Sequence, residues 1–538
     1  MSAPLTQDNI DSKVEVEDHI EDLKENPQAQ PSANILSSGV AALTTRQAMR
    51  RFWRLLLIGF SVSVSGMYLG FTLTIPGSII VNQGFIDQFG TVRNAETGKL
   101  ELNAVHVSIW GGTNFAVQVL LQMLSPITAD RFGLRPNMYI FTFFMLLAII
   151  VEIVAKDWKA FLAAKILAGM SAGFIGTTIM SYISEITISQ LRGPHLSAFS
   201  FFFAFGQLMA AVGLQVLETT TPDKYLNAFY SEFAIFGIWL AILVCLPESP
   251  VWLCKMGREE KSKKAMRRLV GNVRDYDIDH EYLVMKHHLA ESQALMEKSS
   301  KLGWIACFKG TNLRRTLIST IPFSMQNFVG GPLVLGYTVY FFSLAGVEDA
   351  FQANLIIFCI LVSAILASFY FVEKVGRRPL LIYGGAIMAI CDIVIGVIGT
   401  VELSSKTGTG LIVVSVVWVI AYAMSVAPIG YVAIVENSTP MLRAKTAGIA
   451  AVLQSLSGVI FNYTVPIMLS EQQANWGAKT GYFFGGLAVL FTILVWFTVP
   501  ETQGRTYEEL DELYERRLPA WRFKGARTLK DDQMVDQE

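Results

Sequence analysis

Twelve runs of apolar residues, each long enough to cross a bilayer, restrict the fold of this chain more than any other feature. They lie at about 53–80, 104–126, 137–155, 160–183, 196–217 and 230–247. After a polar gap they resume at about 315–343, 352–372, 379–401, 410–435, 445–469 and 480–499. A hydrocarbon core of ~30 Å takes about 20 residues of helix. No water is available there to bond the backbone, so each run is expected to satisfy its own N–H and C=O groups as an α-helix. The composition agrees, with 52% hydrophobic and 16% charged residues, against roughly 25% charged in soluble domains. The expected fold is an all-α membrane protein of twelve transmembrane helices, spans 1 to 12, in two groups of six.

Five segments follow from that count. They are a disordered tail over 1–47, a six-helix bundle over 48–247, a linker with short helices over 248–313, a second six-helix bundle over 314–500 and a tail over 501–538. The first tail is acid-rich with few aromatics, and it lacks the basic and apolar regions of a signal peptide. Lys and Arg collect in alternate connections: Arg131 and Arg135, Arg192, the 255–315 stretch, Lys374 with Arg377 and Arg378, and Arg443 with Lys445. The positive-inside rule makes those connections cytoplasmic, and an even number of spans puts both termini on the same side. The linker mixes charges with apolar residues at helical spacing, which reads as solvated helix faces capping the bundle.

Several function classes are disfavoured. A net charge of −1 gives no ground for a nucleic-acid partner. Cys245, Cys254, Cys307, Cys359 and Cys391 form no C-x-x-C pair, so neither a zinc site nor a disulfide framework is expected. Without a phosphate loop, metal-ligand cluster or nucleophile motif, no cofactor and no enzymatic activity are expected.

Three patterns occur twice. Asp130-Arg131-Phe132-Gly133 pairs with Glu373-Lys374-Val375-Gly376-Arg377-Arg378. Glu185 precedes Arg192 by seven residues, as Glu436 precedes Arg443. Pro247-Glu248-Ser249 pairs with Pro500-Glu501-Thr502. The offsets are 243, 251 and 253 residues. Equal order and spacing indicate two six-helix repeats, an architecture that holds substrate near the bilayer midplane between them. Exposed ion pairs contribute little, but Arg–carboxylate pairs are geometrically specific. Asp130, Arg131, Glu185, Arg192, Glu248, Glu373, Arg377, Glu436, Arg443 and Glu501 are therefore expected to form a cytoplasmic latch between the repeats.

These motifs resemble the sugar porter family of the major facilitator superfamily across about 48–523. DRFGLRP, SYISEITISQLRG, PESPVWL, EKVGRRPLL and PETQGRT carry the likeness. SMQNFVGGPLVLGYTVYFFSLAG, ENSTPMLRAKTAGIA and PETQGRTYEELDELYERRLPAWRF look closest to fungal maltose and α-glucoside permeases. The resemblance implies the major facilitator fold, a sugar substrate, and binding residues Gln207, Gln326, Asn327, Tyr337, Tyr431 and Asn462. Amides and phenols both donate to and accept from hydroxyls. The competing role for an amide in a span is an interhelical hydrogen bond, worth about 0.6 kcal/mol. Gly330-Gly331-Pro332 and Gly336 should interrupt span 7, and Gly169, Gly173 and Gly176 look like a close-packing stripe on span 4.

The chain departs from the family at the place where proton-coupled members carry an Asp on span 1. Here Gly70-Phe71 is followed by Thr72, and the family's span-4 Arg is replaced by Lys165. Threonine does not titrate in a useful range, so Lys165 is expected to lack its carboxylate. Glu152 is expected to reach the membrane interface. The positions singled out for coupling are Thr72 at the vacated site, Lys165, which as a desolvated lysine could itself carry the proton, and Asp392, an intramembrane acid near the middle of span 9. The expected partners are a sugar, protons if coupling survives, and membrane lipid, with the plasma membrane as location. A transporter of another polyol or hydroxylated metabolite, and a transporter-like sugar sensor, are the alternatives; the short tail after Phe523 argues against the sensor.

Overall fold

The computed structural model describes residues 40, 43–93, 98–273, 276–401, 405–439, 441–503, 505 and 507–526. Most of the first tail, for which disorder is expected, and the end of the last tail lie outside the described residues. Among the described residues, eleven helices are long and apolar enough to cross a membrane. They are Trp53–Ile79 (span 1), Ala104–Phe132 (span 2), Leu134–Val154 (span 3), Trp158–Ile186 (span 4), Ser189–Thr220 (span 5) and Leu226–Cys245 (span 6). Then come Ala350–Ser368 (span 8), Arg377–Ile398 (span 9), Lys406–Ile434 (span 10), Lys445–Leu469 (span 11) and Gly477–Thr498 (span 12).

Span 7 is broken, which is why it is not among the eleven. It runs as Gly310–Phe328, a π-helical turn Pro332–Gly336 and a short helix Thr338–Leu344. Gly330 takes φ 92°, a left-handed value that suits glycine, and Pro332 offers no N–H to the ladder. The break frees backbone groups that lipid cannot satisfy. The indole Nε1 of Trp418 on span 10 donates to the carbonyl of Val329 at 3.0 Å and meets one of them.

Within the first half, spans 1 and 5, 2 and 4, and 3 and 4 pack together. In the second half the main pairs are 9 and 12, 9 and 10, 7 and 10, and 7 and 11, with 8 packing on 10. Spans 2 and 11, and 5 and 8, join the halves. Glycines let backbones touch: a Cβ at Gly70 would overlap the carbonyl of Phe203, and one at Gly206 that of Met67. The span-4 stripe holds at Gly169 and Gly173, where a Cβ would come within 2.5 Å of Asn114 O and 2.6 Å of Gln118 O. It fails at Gly176, which faces open space.

One end of the bundle carries the linker, whose helices Pro250–Lys255, Glu259–Val270 and Ile278–Leu302 pack on one another. This is the linker end. The opposite, far end carries the loops around residues 90–103, 221–225, 345–349 and 470–479.

Candidate functional site

Spans 1 and 5, with spans 7, 10 and 11, bring the expected amides to the middle of the bundle. Gln207 is half-buried on span 5 beside the Gly70 contact and makes no side-chain hydrogen bond among the described residues. Gln326 lies on span 7 just before the break. Its Nε2 is buried without a partner and faces Gly430, where a Cβ would stand 2.7 Å away. A buried amide left unpaired costs free energy, so a ligand hydroxyl placed here would be compensated. Asn327 is already engaged: its Nδ2 donates to Gln454 O at 2.8 Å and to Ser457 Oγ at 2.9 Å, tying span 7 to span 11.

Tyr337 and Asn462 sit nearer the far end. The Tyr337 hydroxyl donates to Asn462 O at 3.0 Å, and Asn462 Nδ2 donates to Gly458 O at 2.8 Å. Gly111 of span 2 closes on the pair; a Cβ there would lie 2.5 Å from the Tyr337 hydroxyl. In this conformation both residues help seal the two halves. The side chain of Tyr431 lies outside the described residues.

The linker-end motifs form two copies of one device. Glu248 accepts from the backbone N–H of Leu134, Arg135 and Ser249. Glu501 accepts from those of Arg377, Arg378 and Thr502. Ser249 donates to Glu185 and Thr502 to Glu436, and Arg377 pairs with Glu436 at 3.1 Å. Asp130 pairs with Lys255 at 2.9 Å, while Arg131 lies 5.5 Å over the ring of Phe132. Arg192 is exposed and Arg443 half-buried at the start of span 11. The side chain of Glu373 lies outside the described residues. The latch expected to join the halves is thus seen as bonds within each half. Hydrogen bonds that cross between the halves are found at the far end. Gln472 Nε2 donates to Glu101 Oε2 at 3.0 Å and Leu102 O at 3.1 Å, and Gln215 donates to Asp349 at 3.3 Å.

Two sequence expectations are corrected. Lys165 does not lack a carboxylate: its Nζ lies 2.6 Å from Glu152 Oε1. Glu152 does not reach the interface but is 0% exposed, with Lys165 at 2%. Thr72 is buried nearby, beside Tyr68 on the same helix. Asp392 is also 0% exposed; it lies beside Trp418 of span 10, and Gly330 of the span-7 break packs on it.

Residues 58–514 match the family of sugar (and other) transporters. This chain belongs to that family. Among relatives, a general alpha-glucoside permease of Saccharomyces cerevisiae is 27% identical over 510 residues, covering 92% of this chain and 81% of its own length. An MFS transporter of Aspergillus fumigatus, fmqE, is 27% identical over 536 residues, covering 96% and 98%. Among solved structures, the inward-open xylose transporter XylE of E. coli superposes with a TM-score of 0.69 at 20% identity, over 85% of this chain and 99% of that one. The protein therefore has the major facilitator fold, is an integral membrane transporter by family, and belongs with transporters rather than enzymes.

One buried acid escaped the sequence reading of this sugar-transporter family member. Glu232 on span 6 is 1% exposed, and its Oε2 has no partner. The apolar run had been placed from 230, which leaves Glu232 at its margin. The helix begins at Leu226, which carries Glu232 more than a turn inside.

Proposed function

We propose that the protein moves a sugar, an α-glucoside or a hexose, across the plasma membrane by alternating access. The linker end and both termini are on the cytoplasmic side. The observation that carries this reading is the pair of amides, Gln207 and Gln326, left without partners in the middle of two six-helix repeats. Hydroxyl-rich ligands satisfy such amides on both their donor and acceptor sides. The cross-half bonds of Gln472 and Gln215 at the far end support a conformation closed on that side. The likeness to an alpha-glucoside permease over most of both chains supports the substrate class. Gln207, Gln326, Asn327, Tyr337, Tyr431 and Asn462 are the proposed binding residues. The twofold Glu and Arg networks are the proposed linker-end latch in the opposite conformation.

The test is uptake of labelled maltose, glucose and other sugars in a transporter-null host, with external pH recorded. Saturable uptake that Gln207→Ala and Gln326→Ala weaken supports the reading. No uptake of any sugar overturns it. A second reading, transport of another polyhydroxylated solute, is favoured by the same two amides, which recognise hydroxyls rather than a sugar ring. The fungal MFS relative that spans 98% of its own length carries no sugar in its name.

A further inference from the structure

The sequence leaves this chain without the span-1 acid of its proton-coupled relatives, yet the structure buries two acids around Lys165. Glu152 comes from span 3 and bonds the ammonium at 2.6 Å. Glu232 comes from span 6 and lies in the field of both Glu152 and Lys165. Phe161 and Phe229 cover the ammonium, their centroids 4.7 and 5.9 Å from Nζ. Tyr68 of span 1 lies in the field of the two carboxylates. Glu152 Oε2 and Glu232 Oε2 are both buried without a partner.

We propose that Glu152, Glu232 and Lys165, with Tyr68 beside them, are a proton-binding site that replaces the missing span-1 acid. The proposal rests on the transport reading above. Two carboxylates and one ammonium carry one net negative charge, and one added proton makes the cluster neutral. Burying an uncompensated net charge costs more than burying a neutral, hydrogen-bonded cluster. The proton also supplies the donor that the unpaired carboxylate oxygens lack. No further charge balances the site from the neighbouring spans among the described residues. At this end of span 2, His106 stacks on Trp158 at 4.1 Å. On span 5, Glu218 accepts from Asn82 at 2.9 Å. Tyr225, before span 6, packs against Phe85, Phe89 and Phe229.

The cluster also sits where a proton can be coupled to movement. All its members belong to the first half, and span 1 packs on span 5 beside Gln207, the proposed sugar contact. Here the far end is shut and the cluster is dry. Opening that end would hydrate the groups and let the proton leave or enter. Sealing it again without the proton would bury a net charge. Movement of span 1 thereby links proton occupancy to which side of the membrane the sugar site faces.

The test uses the purified full-length protein and Glu232→Gln, which keeps the side-chain volume and the Lys165–Glu152 pair. Infrared difference spectra follow the C=O stretch of protonated carboxyl groups through a pH titration, with no substrate needed. Liposomes then report sugar exchange and accumulation. The expected result is a titrating carboxyl band in the wild type that E232Q abolishes. One proton per sugar supports about tenfold accumulation per pH unit, since a pH unit is a factor of ten in an equilibrium. E232Q should still exchange sugar yet stop at equal concentrations. A wild type with no titrating band, and with sugar equilibrating without proton movement, would make the cluster purely structural. A band that survives in E232Q and vanishes in Asp392→Asn would place the proton on span 9. Either result overturns the proposal. Failure of the wild type to exchange any sugar overturns the transport reading, while the infrared titration still decides the proton site.

Discussion

At the scale of single residues, the Lys165–Glu152 pair makes a measurable demand on stability. Removing one member of a buried pair leaves an uncompensated charge and typically costs about 3–5 kcal/mol. Lys165→Met, which leaves both Glu152 and Glu232 without a counter-charge, should therefore lower the melting temperature in detergent sharply. Glu152→Leu combined with Lys165→Met should recover most of the loss, because well-packed apolar replacements of such pairs are often neutral. The central amides separate differently. Gln207→Ala removes a side chain that bonds nothing among the described residues, so it should raise KM several-fold, about 0.5–1.5 kcal/mol of lost hydrogen bond, with little change in melting temperature. Asn327→Ala breaks the ties to Gln454 and Ser457 and should lower stability as well as affinity. Polar residues were legible in the sequence as polar residues in spans, but their partners were not. Glu152 lies two residues from the end of span 3 and looked interfacial. Lys165 lies a full turn deeper along span 4, but helical side chains lean toward the N-terminus, which here is the far end. The ammonium climbs toward Glu152 through that lean, and only the packing of spans 3 and 4 reveals it.

At the scale of elements, the repeated linker-end device depends on two glycines. Gly133 and Gly376 hold φ 107° and 99° just before spans 3 and 9. A Cβ at either would stand 2.6 Å from an oxygen of Glu248 or Glu501. Gly133→Ala and Gly376→Ala should each cost about 1–3 kcal/mol from the backbone alone, and push the carboxylate off the amides that begin the helix. Thermal unfolding of the single and double variants checks this, and the two losses should add because the sites belong to different halves. Glu248 also gives a pH test. Burial pushes its carboxyl above the ordinary range, and the N–H groups of Ser249, Arg135 and Leu134 pull it partly back. A raised folded-state value means the folded chain holds the proton more tightly than the unfolded one. Its contribution to stability is then greatest at low pH and is lost as pH rises through the folded-state value. Relative to Glu248→Gln, the wild type should gain melting temperature as pH falls from neutrality toward the ordinary carboxylate range. These elements were well read from sequence, because motifs at fixed offsets report a duplicated backbone. That the carboxylates cap helices within a half, rather than bridge halves, required the fold. An Arg and a Glu in short loops can satisfy either geometry.

At the scale of the whole molecule, the question is what lets the far end close. Gly77 near the end of span 1 meets Gly336 in the broken part of span 7, where a Cβ on Gly77 would overlap the Gly336 carbonyl oxygen. Gly111 of span 2 meets Tyr337 and Asn462 in the same layer. The twelve-helix count was readable from apolar runs, and the span-7 interruption from its glycines and proline. Which end was closed was not readable, since both conformations of an alternating-access protein share one sequence. The contact at Gly77 converts this into a test. Interiors are close-packed, so an added side chain must displace a neighbour, and at Gly77 the neighbour is backbone. The two halves then cannot meet there, although each half is free to fold as before. Gly77→Leu should therefore leave expression and melting temperature close to wild type while trapping the molecule with its far end open. A cysteine at Gln207, one turn-pair below the seal and already half-buried rather than enclosed, reports the change. An impermeant thiol reagent added from the far side should label it slowly in the Gly77 background and rapidly in Gly77→Leu. Sugar uptake should fall in step with the faster labelling. Equal labelling in both backgrounds would mean that the Gly77–Gly336 contact is not what shuts the far end.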